Sequence, residues 1–367
     1  MRFILFVAII QSILLLGHWF LYRTLVRFFG LTNLSVLLTL RVAMALLSVS
    51  LVTTSFLAFR YSNLPVRLLY TAAASWLGIF YMLILAAFVA WVLYGFARFI
   101  HLPIDRRILM GLLIGVALAA SLYGFVNAGV IRTTRISVQL PGLSSQWKGR
   151  TALWVSDTHL GQVRNHGFAN NIAVMVQRLR PDIVFIGGDL YDGEAVDVDR
   201  VIEPLSRVSV PLGIYFITGN HEEFYDNTIY LRAVRKAGMR VLYNEKVDLD
   251  GLQIIGVDYR DARRENDFKK ILEKMNIDRT KPSILLKHVP THLHVPKEQG
   301  ILLQLSGHTH RGQVFLFRFI TSLVYQGYDY GLKRFGGLQV YTSSGAGTWG
   351  PPMRLDTKPE IVVIEFN

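Results

Sequence analysis

The first third of the chain is almost entirely hydrophobic, and its four apolar runs are each long enough to cross a lipid bilayer. A membrane-spanning helix needs about 20 apolar residues. The third and fourth runs contain no charged residue, and Arg41 stands just before the second, where its side chain can reach the headgroups. We therefore predict four transmembrane helices within residues 1–131, at about 3–22, 42–59, 68–96 and 108–131.

The N-terminal run has a second interpretation as a signal peptide, because it follows Arg2. It lacks a small-residue cleavage site and further hydrophobic runs come after it, so we expect a retained anchor. The net charge of +13 fits an anchor, since residues 1–130 hold nine arginines, no lysine and one acid, Asp105. A basic surplus at the edges of apolar runs is typical of membrane flanks, and we expect no nucleic-acid partner.

The arginines do not orient the chain in the membrane. Five arginines fall on each side of the four predicted spans, whereas the positive-inside rule needs an excess on one side. We expect a multi-pass protein of the cell (inner) membrane with the lipid bilayer as a partner. We expect the second half of the chain on the cytoplasmic side of the membrane, although the arginine count does not decide the side.

From about residue 137 the sequence changes to short aliphatic and β-branched runs that alternate with amphipathic segments. This alternation predicts an α/β domain over residues 137–367, joined to the last span by a short linker at 132–136. Residues 315–330, rich in Phe and Tyr, could form either a lipid- or substrate-facing flap over the site or an apolar core hairpin. The predicted strands lie at 151–156, 183–187, 214–218, 252–257, 283–286, 339–343 and 361–366.

Metal-binding residue types follow five apolar runs of this second half. Each lies just beyond the carboxyl end of its run: Asp157 with His159, Asp189, Asn220 with His221, His288, and His308 with His310. Because open α/β sheets assemble their sites at the carboxyl ends of strands, we expect one common site. The chain has no cysteine, which excludes thiolate ligands and cysteine nucleophiles.

These residue types suit hydrolysis of a phosphate ester. The reaction needs neutralisation of an anionic substrate, a water that is deprotonated near neutral pH and an in-line geometry, and two divalent cations about 3.5 to 4 Å apart supply all three. Asp189 is the natural candidate to bridge such a pair, while neutral imidazoles complete the coordination without added negative charge. His221 can then face the substrate and protonate the leaving oxygen or stabilise the phosphoryl charge.

Five sequence blocks resemble the calcineurin-like metallophosphoesterase family, in order, between about Ile136 and the C-terminus. They are Asp157-Thr158-His159, Gly188-Asp189, Gly219-Asn220-His221-Glu222, His288 and Gly307-His308-Thr309-His310. The segment from Ser344 to Pro352 is similar to the bacterial membrane-associated branch of that family, to which hydrolases of UDP-2,3-diacylglucosamine are related. Each block alone is weakly specific, but their joint presence is highly specific.

The resemblance implies a layered β-sandwich flanked by helices, and it implies a role for each residue of the blocks. One cation is held by Asp157, His159 and His310. The other is held by Asn220, His288 and His308. Asp189 bridges the two cations, and His221 is the catalytic histidine. Lys287 and Arg311 depart from the pattern of the family, and each is interpreted either as a phosphate-contacting cation or as a structural side chain.

The predicted function is a membrane-anchored phosphoesterase that contains two divalent cations, with Mn, Fe or Zn expected, and uses a metal-bridging hydroxide. It would cleave a phosphoester or pyrophosphate bond of a phosphorylated small molecule. A lipid linked to this substrate would hold it at the membrane. Monoester, diester and pyrophosphate specificity stay open at this point, as do the metals and the oligomeric state.

A competing hypothesis is a transporter or sensor whose α/β domain binds a ligand as a metal-dependent regulator. Charged residues inside the spans would favour it, and they are almost absent.

Overall fold

The computed structural model of the chain describes residues 2–193, 195–224 and 226–367. The chain divides into two compact units. One comprises the residues up to Val126 together with Gly350–Met353, and the other comprises Asn127–Trp349 and Arg354–Asn367. Within the described residues, four apolar helices are followed by a mixed α/β domain with two sheets, which confirms the predicted fold class.

The first unit contains four helices that are long and apolar enough to cross a membrane. They are α1 (Arg2–Phe29), α2 (Leu34–Ala58), α3 (Leu64–Phe99) and α4 (Arg106–Ala128). The helices extend beyond the hydrophobic runs, because polar residues cap their ends. The side chain of Asn33 accepts a hydrogen bond from the N–H of Val36, and that of Asn63 accepts one from the N–H of Val66.

Polar side chains of α1 bond to the other helices of this unit. Gln11 donates to the carbonyl of Ser48 at 3.0 Å, and the Nε1 atom of Trp76 donates to Nε2 of His18 at 3.0 Å. These bonds satisfy polar groups that lipid tails could not solvate. Gln11 and His18 therefore have a structural role in the bundle.

The second unit contains two six-stranded sheets. The strands are β1 (Arg132–Val138), β2 (Thr151–Val155), β3 (Ile183–Ile186), β4 (Ile214–Phe216), β5 (Arg240–Val241), β6 (Glu245–Leu249), β7 (Leu252–Gly256), β8 (Ser283–Leu286), β9 (Leu303–Ser306), β10 (Gly331–Phe335), β11 (Leu338–Thr342) and β12 (Glu360–Phe366). The first sheet has the order β1-β12-β2-β3-β4-β5, and the second has the order β10-β11-β9-β8-β7-β6. Strands β2, β3 and β4 are mutually parallel, as are β7, β8 and β9, so within each set the carboxyl ends share one edge.

In the described part of this unit, six α-helices accompany the sheets. They are α5 (His166–Leu179), α6 (Val198–Ser206), α7 (Thr228–Lys236), α8 (Glu265–Lys274), α9 (His294–Glu298) and α10 (Phe317–Val324). Helices α5, α6 and α7 share a hydrophobic cluster with the first sheet, and α8 and α9 share another with the second sheet. Trp154 and Phe185 of the first sheet pack with Leu286 and Leu305 of the second. The unit is thus a sandwich of two sheets with helices on its outer faces.

Two expectations from the sequence are wrong. Residues 132–136 are not a linker but the start of β1, which pairs in parallel with β12, Arg135 lying opposite Val363. The strand lies at the edge of its sheet, where exposed residues alternate with less exposed ones. Its polar residues are the reason that the sequence did not indicate a strand. The core-hairpin alternative for 315–330 also fails, because that segment contains α10, none of whose eight residues is buried.

Candidate metal centre

The strand ends of both sheets bring together the side chains singled out in the sequence. The first sheet contributes the residues that follow β2, β3 and β4: Asp157, His159, Asp189, Asn220 and His221. The second sheet contributes those that follow β8 and β9: His288, His308 and His310. Three overlapping groups of these His and Asp residues could each hold a cation, with ligand atoms within 4.8 Å of one another. All the predicted residues therefore lie in one cluster.

One half of the cluster contains Asp157, His159 and His310. The Nε2 atoms of the two imidazoles are 2.9 Å apart, and Nε2 of His310 lies 3.8 Å from Oδ1 of Asp157. The Oδ2 atom of Asp157 is buried and has no hydrogen-bond partner among the residues that the structure describes. An orphaned carboxylate oxygen beside two ring nitrogens is a donor set that fits a divalent cation.

The other half contains Asp189, Asn220, His288 and His308. The Oδ1 atom of Asn220 lies 2.7 Å from Nδ1 of His308 and 3.2 Å from Nε2 of His288. Nδ1 of His288 donates to the carbonyl of Gly187 at 2.8 Å, which directs its Nε2 towards Oδ2 of Asp189 at 3.2 Å. This orientation by a backbone carbonyl is typical of histidines that bind metals. The second donor set therefore also fits a cation.

Burial keeps two of the imidazoles neutral. It lowers the pKa of His159 to about 3, with the nearby His221 adding to the shift. It also lowers the pKa of His308 to about 3, here with a contribution from His288. A neutral imidazole can bind a cation without first losing a proton. These two residues are thus ready for coordination over the whole physiological pH range.

Asp189 and His288 form an ion pair within the cluster. Burial alone would lower the pKa of His288, but the charges of Asp189 and Asp157 raise it to about 9. Burial likewise opposes ionisation of Asp189, yet His288 and His221 hold its pKa well below the usual value. The positive charge of His288 thus lies beside the Asp189 carboxylate, at 3.2 Å.

His221 is oriented by Asp192, a residue that the sequence analysis missed. Nδ1 of His221 donates to the backbone carbonyl of Asp192 at 2.9 Å, and the Asp192 carboxylate accepts from Nδ1 of His159 at 2.9 Å. Burial lowers the pKa of His221, but Asp189 and Asp192 outweigh it and raise the pKa. Its position three residues after Asp189 was the signal that could have identified Asp192. The arrangement lets His221 carry a proton near neutral pH.

Glu222 is a second missed residue, and it organises two of the loops. This fully buried carboxylate accepts hydrogen bonds from the N–H groups of Asp189, Tyr191 and Gly219, at 2.8 to 2.9 Å. It thereby fixes the loop after β3 to the loop after β4. The sequence block included Glu222, but residue type alone did not indicate this role.

Arg354, the third missed residue, lies fully buried behind His310. Its guanidinium donates to the carbonyls of Gly347 and Gly345 and to Nδ1 of His310, the last at 3.0 Å. A guanidinium only donates, so Nδ1 accepts and the His310 hydrogen lies on Nε2, between the two facing rings. Binding of a cation through Nε2 would require the other tautomer, with the hydrogen on Nδ1.

The backbone of the centre is unusual as well. Five of the clustered residues have positive φ, which only a few per cent of non-glycine residues adopt, with Asp and His enriched. The values lie between 47° and 69°, at Asp157, His159, Asp189, His308 and His310. The left-handed conformation turns the chain sharply after each strand and aims consecutive side chains at the centre. Such strain is typical of functional sites.

Lys287 and Arg311, which depart from the family pattern, both contact other groups of the domain. Lys287 is buried, and its Nζ donates to the carbonyl of Val289 and the hydroxyl of Thr291. The guanidinium of Arg311 lies 4.3 Å from the ring centre of Tyr330. The centre borders a cavity of about 160 Å³ beside His288 and His308, whose lining includes Lys287, Tyr259 and Arg263.

The other histidines of the second unit, His166, His292 and His294, pair with carboxylates. His166 lies 3.3 Å from a carboxylate oxygen of Glu203, and His294 lies 3.1 Å from one of Glu265. His292 also contacts Glu265, at 3.3 Å. These pairs lie outside the cluster.

The comparisons with known proteins agree with this geometry. The family model for calcineurin-like phosphoesterases matches residues 151–312. An "uncharacterized metallophosphoesterase" from Aquifex aeolicus is 36% identical over 220 residues, which cover 58% of this chain and 83% of the relative. An "uncharacterized metallophosphoesterase" from Helicobacter pylori strain J99 is 37% identical over 216 residues, which cover 58% of this chain and only 58% of the relative.

A relative that is named as a transmembrane protein also matches. The "transmembrane protein with metallophosphoesterase domain" from Danio rerio is 31% identical over 277 residues, which cover 71% of this chain and 62% of the relative. The sequence similarity and the clustered His and Asp side chains lead to the same conclusion: the chain belongs to the calcineurin-like phosphoesterase family.

Proposed function

We propose that this protein is a membrane-anchored hydrolase that cleaves phosphoester or pyrophosphate bonds at a centre of two divalent cations, with Mn, Fe or Zn as the metals. The first cation would be held by Asp157, His159 and His310. The second would be held by Asn220, His288 and His308, with Asp189 between the two. Such cations neutralise the substrate and lower the pKa of water.

The observation that carries this proposal is the paired donor set at the edge shared by two sheets. Each half has a carboxylate and at least two imidazoles within 4.8 Å of one another. A structural cluster would satisfy its own polar atoms, whereas here Oδ2 of Asp157 is buried without a partner among the described residues. The side chains are thus arranged for ions that complete their bonding.

His221 is the proposed catalytic residue. Its Nδ1 is engaged by Asp192, so Nε2 is the atom that is available to a substrate. A raised pKa lets this nitrogen hold a proton near neutral pH and donate it to the leaving oxygen. Asp192 would then keep the ring in the orientation that this transfer needs.

We propose further that the substrate is lipid-linked and that the centre faces the cytoplasm. Four apolar helices long enough to cross a membrane support the anchor. Residues 129–131 alone separate α4 from β1, and a soluble substrate would not require so close a connection to the membrane. Lipid pyrophosphates and phospholipid phosphates both fit this chemistry, and cytoplasmic nucleotide-linked lipid precursors belong to the first class.

Metal removal and two substitutions test the proposal. The full chain in detergent should lose hydrolysis of bis-p-nitrophenyl phosphate or p-nitrophenyl phosphate after EDTA treatment and regain it with Mn. Asp189→Ala should lose both bound metal and activity. His221→Ala should keep its metal while kcat falls by about 10² to 10⁴, the usual contribution of a general acid.

His294→Ala is the matched control, because this half-exposed histidine pairs with Glu265 outside the cluster. It should keep full activity and full metal content. Full activity in Asp189→Ala would contradict the proposed centre. Loss of metal in His221→Ala would instead assign His221 as a ligand.

A further inference from the structure

Helix α10 presents its apolar side to solvent. Leu316 directly precedes α10, and Phe319, Ile320 and Leu323 lie on one face of the helix. Their exposed fractions are 40%, 54%, 53% and 81%. A stripe of this kind packs against the core in most globular proteins, but no part of the described chain covers this one.

The opposite side of the same helix faces the domain with polar groups. Arg318 forms an ion pair of 2.7 Å with Asp356, and the hydroxyl of Thr321 donates to Asp329 at 3.3 Å. Tyr325, which directly follows the helix, lies with its ring centre 6.2 Å from that of His308. The usual polarity of a surface helix is therefore reversed in α10. Polar contacts attach it to the domain, and its apolar stripe is exposed.

We propose that the apolar stripe of α10 docks into the surface of the lipid bilayer. Three residues, 129–131, connect the last apolar helix α4 to β1, and they span at most about 10 Å. The domain that carries α10 is therefore joined to α4 by a short connection. Amphipathic helices that lie flat in an interface bury their apolar face by about 5 to 10 Å.

Charge supports lipid as the occupant. Lys333 and Arg334 are both exposed on β10, the strand that follows α10, and Nζ of Lys333 bonds to the carbonyl of Gly327 in the connecting loop. Basic side chains near an apolar stripe suit anionic headgroups of a charged membrane.

Size argues against a second copy of the chain. A helix of eight residues is about 12 Å long, and a stable protein interface needs about 1,000 Å² or more. The stripe of α10 alone is too small for such an interface. Insertion into lipid has no such requirement, because the bilayer surrounds every exposed side chain of the stripe.

Docking would also bring lipid phosphates near the centre, because Tyr325 links α10 to His308, and this step rests on the proposed function. Two exposed aromatic residues flank His221: the Phe224 ring centre lies at 4.5 Å and that of Trp349 at 6.0 Å. With Tyr325 beside His308, apolar groups thus border an anion-binding centre on two sides. This combination fits amphiphilic substrates, which are phosphates or pyrophosphates of membrane lipids.

A single-cysteine label tests the docking directly, because the natural chain has no cysteine. Leu323→Cys in the full chain carries a nitrobenzoxadiazole label and is reconstituted in vesicles of phosphatidylethanolamine and phosphatidylglycerol. Its emission should be blue-shifted and quenched by doxyl-labelled lipid. Val174→Cys on α5 is the matched control, since Val174 is an apolar residue of the same domain with 44% exposure. Its label should be quenched by aqueous iodide and not by lipid.

Two outcomes of this experiment would overturn the proposal. Iodide quenching of the Leu323→Cys label equal to that of the control would show a solvated helix. Protection from both iodide and doxyl lipid would show that a protein surface covers the stripe. Neither result depends on catalysis, so the docking and the proposed function can fail separately.

A double substitution then connects docking to substrate use. Phe319→Ser with Leu323→Ser should leave hydrolysis of soluble bis-p-nitrophenyl phosphate within about twofold of the natural chain, which also shows that the domain is folded. Hydrolysis of lipid phosphates in the same vesicles should fall by about tenfold, because docking raises the effective concentration of substrate. An equal loss on both substrates would contradict a role confined to membrane docking.

Discussion

His288 sets the pH at which the proposed metal centre can fill. Its Nδ1 donates to Gly187, so the proton that its pKa of about 9 implies sits on Nε2, the atom that faces Asp189. A cation at that position has to displace this proton. His288 and Asp189 thus stabilise each other's charges, and a bound cation would take the place of the proton on Nε2 of His288.

Cation binding at pH 7 should therefore release about one proton from His288, and the apparent affinity should rise up to about tenfold per pH unit below pH 9. Above pH 9 His288 is already neutral, so the release should vanish. Titration calorimetry in two buffers of different ionisation enthalpy measures the number of protons. His288→Asn should lower that number by about one, and an unchanged number would contradict this assignment.

Individual residues show where sequence reasoning succeeds and where it stops. The ligand types were predictable because each follows an apolar run, and a run of that length ends at a sheet edge. Arg354 was not predictable: it lies far along the chain from His310, and only folding buries its guanidinium against that ring. Asp192 and Glu222 lay next to predicted residues, but their partners are loops of other strands.

At the scale of elements, close packing of the strand ends determines the loops that carry the cluster. Gly307 lies between β9 and His308, where a Cβ atom would meet Oδ2 of Asp157 at 2.3 Å and Oγ of Ser156 at 2.6 Å. The loop after β9 can therefore touch the loop after β2 only through a residue without a side chain. This contact brings ligands of the two sheets within reach of one cation.

Gly307→Ala should displace Asp157 and lower the metal content of the purified chain from two cations towards one. The measurement is elemental analysis after dialysis against trace-metal buffer. Gly337→Ala is the control, because no described atom lies within 4 Å of the position of its Cβ and its φ is not positive. Full metal content in Gly307→Ala would show that the loop relaxes without moving Asp157.

Elements at the sheet edges were harder to predict than those in the middle. The seven predicted strands all correspond to observed ones, and most of them are buried on both faces, where a continuous apolar run is the signal. Strand β1 has a mixed sequence because one sheet edge is partly exposed, and the sequence analysis read part of it as a linker. For α10 the sequence left a flap and a core hairpin as alternatives, since periodicity gives the apolar stripe but not the side that it faces.

At the scale of the whole molecule, the membrane sidedness of the α/β domain determines which substrates it can meet. The domain ends with β12, and Asn367 after it is exposed, so a C-terminal fusion reports the side of the domain. We expect a fluorescent-protein fusion to fluoresce and an alkaline phosphatase fusion to stay inactive, as for a cytoplasmic domain. Active alkaline phosphatase with a dark fluorescent protein would place the centre outside the cytoplasm.

The convergence of ligands from two sheets has a mechanical consequence. The proposed first cation would join loops that follow β2 and β9, and the second would join loops that follow β3, β4, β8 and β9. Each ion would close long stretches of chain into loops, which restricts the unfolded ensemble much as a covalent bridge does. In a protein without cysteine, the reactive centre would therefore double as the cross-link between the two halves of the sandwich.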